Sequence, residues 1–290
     1  MPRDLKHEIP DFNIPKYENL ILSLQKGTCI FTGAGISKLG GYKLWHELKD
    51  EMVDYFWKNQ AKSTFRKRSD LDLSFCENLK THGDIIETFE YLYLLNSSLF
   101  LSGIKDIFYV DSMRASNKVY QILNQLNNGK NIFVTTNIDD GFQKYMGIAD
   151  GEVSIHPNFH NPPKLISYLH GRIDSEDTWI LTRSQYNKGY INRSAPCSKF
   201  LVDIFENYSV LFIGYGLRED DVKRALSLTT KRKTHYWIEG SRRNVKDHLK
   251  IRSTTLKENY NIIFIPYYID AKGQEVLYEV ISSLYKIMTI

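Results

Sequence analysis

Thr28-Cys-Ile-Phe-Thr-Gly-Ala-Gly-Ile-Ser37 opens as a short apolar run and closes on two glycines one residue apart. A run of that length bounded by glycine reads as a buried strand with a sharp turn at its carboxyl end. Five further stretches carry the same β-branched and aromatic signal: Asn131–Thr136, Leu165–Leu169, Val210–Ile213, His235–Ile238 and Ile262–Ile265. Helical spacing marks Tyr17–Lys26, Asp140–Met146, Ser198–Tyr208, Asp220–Leu228 and Gln274–Ile287. Short strands alternating with helices predict an α/β fold built on a doubly wound, mostly parallel, Rossmann-like sheet.

Between the first and second strands lies a long block of helical pattern. Leu44, Trp45, Leu48, Met52 and Phe56 share one spacing, Ile85, Ile86, Phe89 and Leu92 another, and Val119, Ile122, Leu123 and Leu126 a third. The block, 46–128, is too long for a single crossover and is expected to be an inserted helical subdomain. Residues 1–15, with Pro2, Pro10 and Pro15, read as an N-terminal arm, which leaves 16–45 and 129–290 for the sheet domain.

Composition removes several function classes. The chain has 290 residues, 42% apolar and 25% charged, so it can bury a core of ordinary size. Its 38 basic and 34 acidic residues balance to +4, which gives no general pull toward nucleic acid. The start lacks an apolar core of signal-peptide length, and no segment approaches the roughly 18 apolar residues that span a bilayer. Cys29, Cys76 and Cys197 form no close pair, so neither a disulfide framework nor a structural metal site is expected. A cytoplasmic, reduced protein is the expectation. Arg66–Arg68, Lys231–Lys233 and Arg242-Arg243 are basic runs of the kind that usually face solvent, though an interface could use them.

Four strand ends could carry chemistry. In Gly33-Ala34-Gly35-Ile-Ser37 the glycines let backbone approach a phosphate, or simply make a tight turn. The ordinary dinucleotide fingerprint is not met, because Lys38 stands where a third glycine belongs. Thr135-Thr136-Asn137-Ile-Asp139 offers an amide and a carboxylate that could bind a ligand or cap the following helix. Tyr168-Leu-His170-Gly171 places a histidine at a strand end, where it is either structural or able to take a proton near neutrality, with His156 and His160 nearby. Gly214-Tyr215-Gly216, before Leu217-Arg-Glu-Asp-Asp221, is a second backbone cradle or a plain strand-to-helix turn.

These pieces, in this order, resemble the sirtuin superfamily, whose Gly-Ala-Gly-x-Ser loop, Thr-x-Asn-Ile-Asp loop, His-Gly pair and late glycine-bearing strand end appear here at 33–37, 135–139, 170–171 and 214–216. The resemblance spans about 28 to 240. It departs from protein-deacylating sirtuins in lacking the four-cysteine zinc ribbon, since the segment between His170 and Gly214 holds only Cys197. Leu39-Gly-Gly-Tyr-Lys-Leu-Trp-His-Glu-Leu48, and Phe75-Cys-Glu-Asn with the helical run after it, look like the zinc-free bacterial branch that destroys NAD in anti-phage defence. That resemblance implies NAD as substrate, no metal, and Asn137 and His170 as the catalytic pair. Gly33, Ala34, Gly35, Ser37, Thr136, Asp139, Gly214, Tyr215 and Gly216 would then contact NAD, and Gly33 and Gly35 would leave room for its pyrophosphate. It also implies control by homo-oligomerisation or by a separate activating partner such as a HerA-type ATPase.

Overall fold

The computed structural model describes residues 14–59, 72–114, 116–156, 164–191, 195–216, 220–230, 233–242, 246–269 and 275–289. Residues 1–13 of the arm, His160, Arg66–Arg68, 217–219 of the segment after Gly216, the first two residues of Lys231–Lys233, and Arg243 lie outside them.

Helix α1 (Ile14–Lys26) leads into strand β1 (Thr28–Thr32), and Gly27 joins them with φ +125°, a conformation that favours glycine. Six helices follow before the next strand: α2 (Ala34–Leu39), α3 (Trp45–Asn59), α4 (Leu73–His82), α5 (Ile85–Leu95), α6 (Ser97–Arg114) and α7 (Lys118–Asn124). Then come β2 (Ile132–Thr135), α8 (Gly141–Met146), β3 (Val153–Ile155) and β4 (Ile166–Tyr168). The chain continues through α9 (Arg183–Tyr186), a π-helical turn at Asn187–Ile191, α10 (Pro196–Asn207), β5 (Ser209–Ile213) and α11 (Asp220–Leu228). It ends with β6 (His235–Ser241), α12 (Lys246–Tyr260), β7 (Ile262–Tyr268) and α13 (Val276–Met288).

The seven strands form one sheet, in the order β3-β4-β2-β1-β5-β6-β7, and every pairing is parallel. The expected α/β, Rossmann-like sheet is therefore present, with β3 added at one edge. β1 alternates as strand geometry requires. Ile30 points into a core with Phe133, Leu211 and the apolar faces of α1, α7, α8 and α13. Cys29 and Phe31 point the other way, into a core with Val134, Phe212 and the buried faces of α10, α11 and α12. A third core gathers α3 to α6 around Met52, Phe56, Phe89 and Phe100, and takes in Ile138, Trp179 and Leu181 from the sheet loops.

One feature of register positions the site. Thr32 at the end of β1 lies opposite Thr135 of β2 and Ile213 of β5, and Ile213 lies opposite Ile238 of β6. Thr135 in turn faces Tyr168 of β4. All five strands thus release their loops along one edge of the sheet, the edge where open parallel sheets hold ligands.

Candidate active site

That edge faces a cleft of about 660 Å³. Ala34, Gly35, Thr136 and Gly214 to Gly216 line its floor, so the four strand ends legible in the sequence do meet in space, three of them at the cleft surface. The helical layer supplies another wall with Trp45, His46, Asp84 and Phe89, and the end of β6 and β7 supplies Glu239 and Tyr267.

The first loop is tied to the fourth. The Gly35 amide donates to the Gly214 carbonyl at 2.8 Å, and the Ile36 amide donates to the Gly33 carbonyl at 2.9 Å. A Cβ on Gly35 would meet Gly214 Cα and its carbonyl oxygen at 2.9 Å, and one on Gly33 would meet the Tyr215 ring at 2.7 Å. These glycines are required by packing against Gly214 and Tyr215 in the loop after β5, which differs from the expectation that the space serves a phosphate. Two of the loop's amides are also already used. Tyr215 turns its ring inward, between Phe31 and Phe212, at centroid distances of 4.9 and 5.8 Å. Only its backbone side is available to the cleft floor, and its carbonyl accepts from Trp237 Nε1 at 2.8 Å.

Asp139 is fully enclosed. Its carboxylate accepts from Ser37 Oγ, from the Tyr120 hydroxyl at 2.9 Å and from the Gly141 amide at 3.0 Å. Burial holds that carboxyl above the ordinary range, against the pull of the three donors. Ser37 and Asp139 therefore lock α2 to the start of α8 from behind the cleft. The Gly141 bond is the helix cap that the sequence left open, made by Asp139 and not by Asp140, which makes no side-chain cap.

Asn137 and His170 follow Thr135 and Tyr168, which face each other on neighbouring strands, by two residues each. Asn137 is 4% exposed; its Nδ2 donates to the Gly33 carbonyl at 2.9 Å, while Oδ1 has no hydrogen-bond partner among the described residues. His170 is 1% exposed and ringed by aromatic side chains, with Tyr186, Tyr190 and Trp45 at 5.2, 5.8 and 6.3 Å between ring centroids. Its Nε2 lies 3.2 Å from the Tyr186 hydroxyl, and no hydrogen bond is made at Nδ1. Burial, with the His156 ring adding to it and the Thr136 backbone opposing it, pushes the imidazole down to about 3. The ring is therefore neutral throughout the physiological range. Gly171 allows the turn beyond it, with φ +86° and no room for a Cβ against the Thr178 carbonyl, 2.2 Å away.

His156 is a structural neighbour. It follows β3 in a left-handed conformation, φ 44°, and its amide donates to the Tyr168 carbonyl at 3.0 Å.

Several lining residues were not legible. Tyr186 sits on a four-residue helix with no periodicity to read, held by a Thr182–Gln185 capping box. Asp84 caps α5 by accepting from the Ile86 and Glu87 amides at 3.0 Å. The pattern Asp84-Ile-Ile-Glu87 before an apolar run could have announced that cap. Glu239 lies near the carboxyl end of β6, some two hundred residues beyond the first glycine loop, where no motif marks it. It pairs with Arg252 at 3.0 Å, and Arg252 lies 4.3 Å over the Trp237 ring.

Among the described residues no cluster of three His, Cys, Asp or Glu side chains is placed to hold a metal ion, and no helix is long and apolar enough to cross a membrane. No curated protein matches the chain. Residues 131–265, from the start of β2 into β7, match the family model described as a SIR2-like domain. The matched segment includes Asn137, His170 and Gly214 to Gly216, though not the loop at 33–37, and it supports a place for this chain in the sirtuin-like superfamily.

Proposed function

We propose that this chain is an NAD glycohydrolase, cleaving NAD to ADP-ribose and nicotinamide. The observation that carries the reading is a group of buried polar atoms that find no hydrogen-bond partner among the described residues. Thr136 Oγ1, Asn137 Oδ1 and His170 Nδ1 all lie at the carboxyl ends of β2 and β4, beside the cleft, in the part of the chain that matches a SIR2-like domain. Buried polar atoms are normally satisfied, and those that are not frequently have a task. SIR2-like domains are commonly NAD-dependent, and this cleft offers what a dinucleotide needs: close-packed backbone loops at strand ends, aromatic walls, and a carboxylate at Glu239 suited to a ribose diol.

In this reading the Asn137 amide, clamped through Nδ2 to Gly33, directs Oδ1 toward the ribose or the attacking water. His170 is the proton acceptor. Cleaving the bond from ribose to nicotinamide develops positive charge on the sugar, as other glycosidic cleavages do, and nicotinamide leaves neutral. The segment 39–48, with Trp45 on the cleft wall, supports the zinc-free, anti-phage branch over a deacylase.

Incubation with NAD, with and without an acylated peptide, tests the proposal through free nicotinamide. Release without peptide is expected, and Asn137→Ala and His170→Ala should each lower it by about a hundredfold, the scale of one positioned acid–base group. Release only with peptide would make the chain a deacylase. Binding of ADP-ribose without any release would make it a sensor.

A further inference from the structure

His170 is too enclosed to meet a substrate itself. It is 1% exposed and does not line the cleft, whereas Tyr186 does, and the Tyr186 hydroxyl sits 3.2 Å from His170 Nε2. Tyr186 thus reaches both the cleft and the buried imidazole, and its hydroxyl is a proton-bearing group at hydrogen-bond distance from the ring. From this geometry we infer that Tyr186 is a catalytic residue, a relay whose hydroxyl takes the proton of the attacking water and hands its own to His170. The inference rests on the hydrolase reading above and adds the group that touches the reacting water.

Tyr186 is built to hold still. Its helix is pinned to α5 at two points: Arg183 Nε donates to Glu87 at 2.7 Å, and Glu90 accepts from the Ser184 amide and hydroxyl at 3.0 and 3.1 Å. The ring stacks on Tyr190 at 5.4 Å with 26° between planes. Tyr190 is itself buried, on the π-helical turn that begins directly after Tyr186, and such turns recur at functional sites. Lateral packing fixes the ring and holds the hydroxyl beside the imidazole.

The step balances. The water oxygen bonds to the ribose anomeric carbon as the bond to nicotinamide breaks, its electron pair leaving on nicotinamide. One water proton passes to the Tyr186 oxygen, and the Tyr186 proton passes to His170 Nε2. Return along the same path releases that proton to solvent, so the products are ADP-ribose, nicotinamide and one proton. A weak base suffices, because water adding to a cationic sugar becomes strongly acidic.

Tyr186→Phe removes only the hydroxyl and keeps the ring stack. Nicotinamide release gives kcat and KM, and calorimetry with ADP-ribose reports separately on the cleft. The relay predicts that Tyr186→Phe binds ADP-ribose as the wild type does, with kcat lower by about a hundredfold and KM unchanged. It also predicts that Tyr186→Phe combined with His170→Ala loses little beyond either single change, because the two act in one chain. A kcat within twofold of wild type, or losses that multiply in the double variant, would overturn the relay while leaving the hydrolase reading intact. Loss of ADP-ribose affinity in Tyr186→Phe would make the residue a binding group and equally reject it. A wild-type protein that binds ADP-ribose and releases no nicotinamide would remove the hydrolase reading, and the relay with it.

Discussion

The buried histidines make the behaviour of this protein with pH unusual in a way that can be signed. Burial depresses His170 to about 3 and His235 to about 4. A base with so low a pKa is already neutral at mild acidity, so nicotinamide release should stay flat from about pH 8 down to about pH 5. A limb with its midpoint near the ordinary histidine value of about 6.5 would show that the base is a different, solvated group. Stability should behave otherwise. The unfolded chain takes up protons on these histidines below about 6.5, while the folded protein does not, so stability is full above that value and declines as pH falls toward the folded pKa values. The thermal midpoint should drop by about 5 °C between pH 7 and pH 5. Asp139 works in the opposite sense: burial raises its carboxyl, so stability is gained as pH falls through that raised value toward the ordinary carboxylate range. A midpoint that does not move between pH 7 and pH 5 would contradict the burial of both rings.

At the scale of elements, the strand ends were legible because a parallel sheet advertises itself through short apolar runs that stop at glycine. β3 escaped because Val153–Ile155 is three residues long, too short for any period to emerge. α12 escaped for a different reason: Leu256 is its one fully buried apolar residue on a mostly polar sequence, so Lys246–Tyr260 carries little amphipathic signal. Gly35 shows where motif reading stops. The motif marks the residue, whereas only the packing of α2 against the β5 loop reveals that Gly214 backbone occupies the space beside it, 2.9 Å from where a Cβ would stand. Gly35→Ala should therefore destabilise the fold by about 1–3 kcal/mol through overpacking, read as a lower urea midpoint. If the midpoint holds and only ADP-ribose affinity falls, the missing Cβ makes room for the ligand and the packing account is wrong. Lys49 marks a similar element-scale device, a buried ammonium donating to the Leu79, Lys80 and Gly83 carbonyls at 3.0, 2.7 and 3.2 Å. It closes the end of α4 and sets the corner from which Asp84 enters the cleft.

The whole molecule adds what no single motif holds, a cleft whose walls come from segments more than two hundred residues apart. Trp45, Asp84 and Phe89 belong to the helical layer, while Gly214, Glu239 and Tyr267 belong to the sheet. Local sequence could place Asn137 and His170 on strand ends, but not the helical wall opposite, because that wall depends on how the third core seats against Ile138, Trp179 and Leu181. A ligand that fills the cleft must touch both layers, and binding to the folded state alone stabilises it by mass action, about 2.7 kcal/mol at a hundred times the dissociation constant. ADP-ribose at that excess should raise the thermal midpoint by several degrees, and amide exchange should slow on both sides, in α5 as well as at the ends of β6 and β7. Protection confined to β6 and β7 would mean that the nucleotide sits on the sheet edge without engaging the helical layer. In that case the wall that carries α9 and Tyr186 through Glu87 and Glu90 would have no part in holding the substrate.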